Sequence, residues 1–138
     1  MRFMLMAKNE EEGSVLPTPE LMAAMGKLTQ ELAQSGVLVG TGGLQPTTRG
    51  AYLKLAGGKV TVTDGPFTEA KEIIGGYAIV QLKSKEEAIE LGKRFLQIHA
   101  DILGPSCEMQ SEIRQMYEPT ELPGQAWPET ENPSQSSI

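Results

Sequence analysis

The chain has 138 residues, of which 39% are hydrophobic and 22% charged, which fits one domain with a packed core and excludes wholesale disorder. Its 18 acidic and 12 basic residues give a net charge of −6, which argues against direct nucleic-acid binding because phosphate neutralisation needs excess positive charge. The single cysteine excludes an internal disulfide and a cysteine-based metal cluster, and the single histidine excludes a site that needs two imidazoles in one chain. Since no apolar run reaches the roughly 20 residues that span a bilayer, we expect a cytoplasmic protein without membrane contact.

The first part of the chain predicts a strand, a helix and a second strand. Residues 3–7 are apolar at every position, as in a strand that is covered on both faces. Thr18 and Pro19 then offer a side-chain cap and a first-turn proline, and apolar residues follow at helical spacing until Gly36. Residues 37–44 predict a second strand, weakened by glycines. Those glycines lack the G-x-G-x-x-G spacing of a dinucleotide site, and we expect no cofactor and no metal.

The middle of the chain predicts an inserted hairpin and a further strand. Residues 51–55 and 60–63 are rich in apolar and β-branched side chains, and the Ala-Gly-Gly-Lys sequence between them is typical of a hairpin turn. A strand of the main sheet is expected at residues 77–82, after the glycine pair at 75–76.

The last part of the body predicts a second helix and a final strand. Ser84 and Glu87 have the spacing of a capping box, in which each side chain accepts a hydrogen bond from the backbone of the other residue. An apolar stripe runs from there to His99, which we expect to be a satisfied, semi-buried side chain or a helix-end charge rather than a catalytic group. Residues 107–114 alternate between apolar or small and polar side chains, which indicates a half-buried strand.

Without the hairpin, the predicted order is strand, helix, strand, strand, helix, strand. This order predicts an α+β fold of the ferredoxin-like βαββαβ type, an antiparallel sheet with both helices on one face. The other face has no predicted cover, although the strands at residues 3–7 and 77–82 are apolar on both sides. Because large exposed apolar patches usually mark an interface, we expect a second copy to cover that face in a homodimer.

The folded domain is expected to span residues 1–118. Residues 119–138 hold four of the nine prolines and three glutamates, without a lysine or arginine, so they cannot bury enough apolar area to offset the entropy of ordering them. We expect a flexible tail rich in Pro, Glu and Ser. Trp127 is the residue of that tail best suited to anchor on a partner.

The segment from Thr63 to Phe67, Thr-Asp-Gly-Pro-Phe, is the most distinctive part of the sequence. Pro66 restricts its own backbone and that of Gly65, and the phenylalanine can pack the turn back onto the sheet. The side chain of Asp64 can accept backbone hydrogen bonds in such a turn. Two interpretations stay open: a rigid structural turn, or a carboxylate that holds a ligand or acts as an acid or base.

Residues 62–72, Val-Thr-Asp-Gly-Pro-Phe-Thr-Glu-Ala-Lys-Glu, followed by Gly-Gly-Tyr at 75–77, resemble the signature of the DGPF proteins. These form a branch of the YCII-related family in the dimeric α/β-barrel superfamily. The segments at residues 2–6, 36–40 and 43–46 are also similar to that pattern, so the resemblance covers roughly residues 1–116. It implies a ferredoxin-like protomer that pairs sheet to sheet with a second copy.

The resemblance implies less about activity, because the family is mostly uncharacterised. Its better-known branch is thought to use a histidine and an aspartate in a cleft, by analogy with related lyases and isomerases. That histidine lies in the N-terminal half, where this chain has none. Members similar to this chain often accompany sigma-factor genes. Whether the protein is an enzyme therefore stays open.

Two functional hypotheses follow. The first is binding of a small polar organic ligand in a cleft between sheet and helices, with proton transfer in which Asp64 is the base. The candidate ligand-binding residues are Asp64, Gly65, Pro66, Phe67, Tyr77 and Arg49, of which the tyrosine and the arginine would orient the ligand. The alternative is a non-catalytic interaction module that regulates a protein partner such as a sigma factor, docked through the tail at residues 119–138.

Overall fold

The computed structural model describes residues 1–9, 17–65, 73–118 and 121. The elements in chain order are β1 (Arg2–Asn9), α1 (Pro19–Gln34), β2 (Leu38–Gly43), a 3₁₀ turn (Thr47–Arg49), β3 (Ala51–Ala56), β4 (Lys59–Asp64), β5 (Ile73–Gln81), α2 (Lys85–Leu103) and β6 (Gln110–Gln115). Neither described helix has the length and apolarity needed to cross a membrane. Pro66, Phe67 and all but residue 121 of the predicted tail lie outside the described residues.

The strands form two antiparallel sheets. The main sheet has the order β2-β5-β1-β6, with β5 and β1 in the centre. The separate two-stranded sheet consists of β3 and β4, which are joined at Gly57 and Gly58, both at positive φ. Two helices with antiparallel sheets make an α+β structure that is compatible with the predicted ferredoxin-like fold.

Both helices begin at the predicted caps. The Thr18 side chain accepts a hydrogen bond from the backbone N–H of Leu21 at 3.1 Å, and Ser84 accepts one from that of Glu87 at 3.2 Å. The second bond of the capping box differs from the prediction. The Glu87 carboxylate accepts from the backbone N–H of Lys83 at 2.9 Å, one residue before Ser84, instead of from that of Ser84 itself.

The apolar core lies between the main sheet and the helices. Phe3 and Leu5 of β1 and Val80 of β5 pack there with Ala88 of α2, and all four are buried. Gly92 of α2 lets the helix approach β6 closely. This packed layer between sheet and helices is the one in which the sequence predicts the ligand cleft.

Alternate residues of the same strands point away from the helices. We call this side of the main sheet the distal face; it carries Met4, Met6 and Lys8 of β1, Tyr77 and Ile79 of β5, and Glu112 and Arg114 of β6. Both described helices pack on the opposite side, so neither covers the distal face.

Two predicted strand boundaries are wrong. The strand expected at 77–82 begins at Ile73, because the glycine pair 75–76 continues the strand and is accommodated by a register shift opposite Ala7 and Lys8. The strand expected at 107–114 is observed at Gln110–Gln115. The backbone N–H of Cys107 is bonded to the carbonyl of Gly104 in a turn, so pairing with β1 starts only opposite Lys8.

Candidate functional site

The predicted motif leaves β4 at Asp64 and is fixed by backbone contacts with the 3₁₀ turn. The backbone N–H of Gly65 donates to the carbonyl of Gly50 at 3.1 Å. The Thr47 carbonyl occupies the position that a β-carbon on Gly65 would take. The chain therefore needs glycine at position 65, and the contact brings the motif next to the turn that carries Arg49.

Asp64 and Arg49 are both exposed in the single chain. Asp64 is the last residue of β4, where it pairs with Ala51 of β3, and it is exposed like the rest of that strand. Its carboxylate is thus accessible to a ligand or to a second protein chain. The arginine two residues beyond Thr47 offers a positive charge from the adjoining turn.

Tyr77 lies on the distal face, opposite Met6 of β1 and Gly42 of β2. Its ring lies so close over Gly42 that a β-carbon there would be 3.1 Å from the tyrosine hydroxyl oxygen. Within the described part of the chain this hydroxyl makes no hydrogen bond, which leaves it available to a ligand. No described contact joins Tyr77 to Asp64.

One end of the main sheet, which we call the motif end, is the end at which the chain re-enters the sheet after the predicted motif. There β1 ends at Lys8 and Asn9, β5 begins at Ile73, and the backbone N–H of Leu44 after β2 bonds to the carbonyl of Gly75 at 2.9 Å. Along the chain, Asp64 precedes the start of β5 by nine residues, of which 66–72 lie outside the described residues. Two residues that the sequence did not single out lie at this end of the main sheet.

The first of these is Asn9. Its side-chain oxygen Oδ1 is buried and has no hydrogen-bond partner among the described residues. Gly75 lies beside its amide nitrogen, where an added β-carbon would be 3.7 Å away. A buried acceptor without a donor is destabilising, so a ligand group or water that donates a hydrogen bond would be favoured there. The signal available in the sequence was a polar amide at the end of an apolar strand.

The second is Lys8, which forms an ion pair across the distal face. Its Nζ lies 2.7 Å from Oε1 of Glu112, and the lysine side chain is only 13% exposed against 40% for the glutamate. The hydrogen bond from Lys8 lowers the pKa of Glu112, and the charges of Lys8 and Arg114 act in the same direction. Arg114 approaches the other carboxylate oxygen at 4.0 Å.

His99 is buried and its ring is hydrogen-bonded, in agreement with the sequence interpretation of a satisfied, semi-buried side chain. It is 5% exposed, and its Nδ1 donates to the Phe95 carbonyl at 2.9 Å. The two rings pack with centroids 4.6 Å apart. No described contact joins His99 to Asp64, so the structure does not assemble a histidine–aspartate pair.

A shallow polar groove lies on the outer surface between the two helices. It is lined by Lys27, Gln30, Glu31, Gln34 and Arg94, and an ion pair between Glu31 and Arg94 crosses it. None of the predicted site residues contributes to it. Among the described residues, no three His, Cys, Asp or Glu side chains come together as a metal site.

Comparison with known proteins places the chain in a family. The model of the YCII-related domain matches residues 1–102. The chain belongs to the YCII-related family. An uncharacterized protein from Rhizobium meliloti (strain 1021) is 30% identical over 105 residues, which cover 75% of this chain and 80% of that protein. The matched region contains β1 to β5 and nearly all of α2, and therefore the motif end and most of the distal face.

Proposed function

We propose that this YCII-related protein is a homodimer that binds a small polar organic ligand in a cleft near Asp64. Each protomer would be ferredoxin-like, with the β3–β4 sheet as an inserted hairpin, and two main sheets would face each other in a dimeric α/β barrel. The observation that supports this most is the distal face, where Met4, Met6 and Ile79 form an apolar strip without a helix over it. Apolar area of this kind favours association with a complementary surface.

The β3–β4 sheet gives separate support for a second copy. Leu53 pairs with Val62 and Leu55 with Val60, so the four apolar side chains share one face, and they are 62–72% exposed. A two-stranded sheet is marginally stable by itself in water. No other described element packs extensively on this one, and a partner chain would provide the cover that it lacks.

The chemistry proposed for the cleft is proton transfer on the bound ligand. In this proposal Asp64 is the base, and Arg49 and Tyr77 orient the ligand. Gly65, Pro66 and Phe67 are the further ligand-binding residues that the sequence predicts. The close packing of Gly65 on Thr47 supports a fixed position for the carboxylate relative to the Arg49 turn. In a dimer the cleft would also be less wet than in the single chain, which strengthens hydrogen bonds to a ligand.

The first test is the oligomeric state. Sedimentation velocity at micromolar concentration should give a dimer of the 14.9 kDa chain. A stable monomer would contradict the proposed assembly.

The second test is thermal-shift screening against small hydroxy acids, amino acids and phenols. Compounds that raise the melting temperature of the wild type should fail with Asp64→Asn, whose unliganded melting temperature should be unchanged. Asp101→Asn, at an exposed aspartate of α2, should respond like the wild type. If Asp64→Asn keeps the same ligand shifts, Asp64 has no role in binding, and if it unfolds, the aspartate is structural.

A further inference from the structure

We infer that the site at Asp64 is completed by a second copy of the chain, because Asp64 lies on the face of the β3–β4 sheet that the second copy covers. The inference rests on the proposed dimer and goes beyond it in one respect. The partner chain supplies part of the wall around the carboxylate, so a single chain carries an incomplete site.

The two faces of the β3–β4 sheet differ in polarity. Residues that pair across an antiparallel ladder point to the same face, and successive residues of a strand point to opposite faces. One face, which we call the β3–β4 face, carries the pairs Leu53 with Val62, Leu55 with Val60, and Ala51 with Asp64. The other face carries Tyr52 with Thr63, Lys54 with Thr61, and Ala56 with Lys59. Asp64 is thus the one charged residue among the six of an otherwise apolar face.

An apolar face opposite a polar one is typical of a sheet that is packed on one side and solvated on the other. In the single chain the side that should be packed is open to water. Its four large side chains are 62–72% exposed, namely those of Leu53, Leu55, Val60 and Val62. These exposed fractions describe the surface that a second molecule has to cover.

The apolar area needed for a stable complex points to a second copy as the cover. A stable interface buries about 800 Å² per partner, somewhat more than half of it apolar. Met4, Met6 and Ile79 of the distal face are already partly buried in the single chain, so the distal face alone supplies too little. The β3–β4 face adds roughly 300 Å² of exposed apolar side chain in each chain. A symmetric dimer that includes this face of both copies approaches the required area.

A chain that covers the β3–β4 face also encloses Asp64. The aspartate is the next residue after Val62 on that face, and its strand partner Ala51 lies next to Leu53. Residues two apart on a strand are separated by about 7 Å, so a surface packed on Val62 and Leu53 reaches the carboxylate. Asp64 therefore lies at the edge of the covered apolar surface, with this chain on one side and the partner chain on the other.

The enclosed carboxylate favours a ligand that donates a hydrogen bond. The backbone N–H of Gly65 next to it is already bonded to the Gly50 carbonyl. A carboxylate that loses water is destabilising unless it is paired. An N–H or O–H group of a ligand would pair it, as would the side chain of Arg49 from the adjoining turn.

Cysteine labelling at neighbouring positions of β4 tests the inference. Asp64→Cys and Thr63→Cys place a thiol on opposite faces of the sheet, and both positions are exposed in the single chain. Each is made with Cys107→Ser, which removes the natural thiol. The rate of reaction with a maleimide dye is measured in the folded protein and divided by the rate in urea. The same is done with Leu55→Lys and Val60→Lys added, which places charges on the β3–β4 face.

We expect the thiol at position 64 to react about tenfold or more slowly than the thiol at position 63 in the dimer, because an enclosed group reacts only when the structure opens. The added lysines should remove this difference as they shift the protein to monomer. Val62→Cys, on the same face as Asp64, should be protected in the same way and replaces Asp64→Cys if that variant does not fold. Sedimentation velocity of each sample gives its oligomeric state.

If the protein is a dimer and the thiols at positions 62 and 64 react as fast as the one at 63, the inference is overturned and the dimer stands. The inference is equally overturned if both stay protected in a monomeric variant with the two lysines, since the chain then covers this face by itself. A monomeric wild type overturns the proposed function and the inference with it.

Discussion

The carbonyl oxygen of Thr47 lies where a β-carbon on Gly65 would have to stand. Contact with the distant Thr47 therefore requires glycine at position 65, in addition to the backbone restriction that Pro66 places on the residue before it. Because the Gly65 N–H is also bonded to the Gly50 carbonyl, the end of β4 and the 3₁₀ turn form one unit. The positions of Asp64 and Arg49 are coupled through that unit.

Replacement of Gly65 by alanine should disturb this unit strongly. The methyl group would meet backbone atoms of Thr47, which cannot rotate away as a side chain could, so we expect a loss of about 1–3 kcal/mol in the free energy of unfolding. Urea denaturation would measure it, and amide NMR shifts should move at Thr47 to Gly50. Gly43→Ala is the matched control, since an added β-carbon there has open space. Equal stabilities for the two variants would disprove the contact.

The ion pair on the distal face predicts a titration shift. The hydrogen bond from Lys8 keeps the pKa of Glu112 low, so Lys8→Met should raise that pKa, and Arg114→Gln should raise it less because its charge has the smaller influence. Carbon-detected NMR of the Glu112 carboxyl group would follow both.

The lowered pKa of Glu112 also predicts how the free energy of unfolding depends on pH. A carboxyl whose folded-state pKa is lowered stabilises the protein above its unfolded-state pKa, and that contribution is lost as the pH falls through the lowered value. The stability difference between wild type and Lys8→Met should therefore shrink on acidification. A difference that grows as the pH falls would contradict the assignment.

The exposed apolar face of the β3–β4 sheet predicts a charge-sensitive dimer. The double variant Leu55→Lys and Val60→Lys places two positive charges side by side on that face. We expect a marked shift toward monomer in sedimentation velocity, because these charges would have to be desolvated on association. Thr61→Lys, which lies on the opposite face of β4, is the control and should leave the dimer unchanged. An unaltered dimer in the double variant would exclude this face from the interface.

The cap of α2 predicts a modest loss of stability. Ser84→Ala removes the acceptor for the Glu87 N–H and should lower the free energy of unfolding by about 1 kcal/mol. Ser35→Ala should have a smaller effect, because the Ser35 hydroxyl donates to the Leu32 carbonyl at an exposed helix end. Urea denaturation of both variants compares them, and a larger effect at Ser35 would refute the capping argument.

Local signals in the sequence predicted the helices well. Thr18 and Ser84 cap the helices as expected, and Gly36 follows the first helix at positive φ. These features depend on residues within one turn of each other, which sequence patterns contain directly. The apolar run at residues 3–7 likewise lies within β1, at the centre of the main sheet.

The strand ends and part of the site could not be predicted in this way. The sequence places Gly75 and Gly76 before a strand, but in the structure pairing with β1 and β2 includes them in β5. The ion pair of Lys8 with Glu112 joins residues 104 positions apart, and it exists only because β1 and β6 are neighbours. Contacts of this range depend on the register of strands, which no local pattern contains.

The alternation along β1 also bears on how members of this family could diverge. Phe3 and Leu5 point into the core, whereas Met4, Met6 and Lys8 point the other way. Substitutions at the even-numbered positions can therefore change the surface of the sheet while the odd-numbered ones continue to specify the fold. If the proposed dimer forms, a lineage could alter its cleft by drift at every second residue of one strand and keep a folded protein throughout.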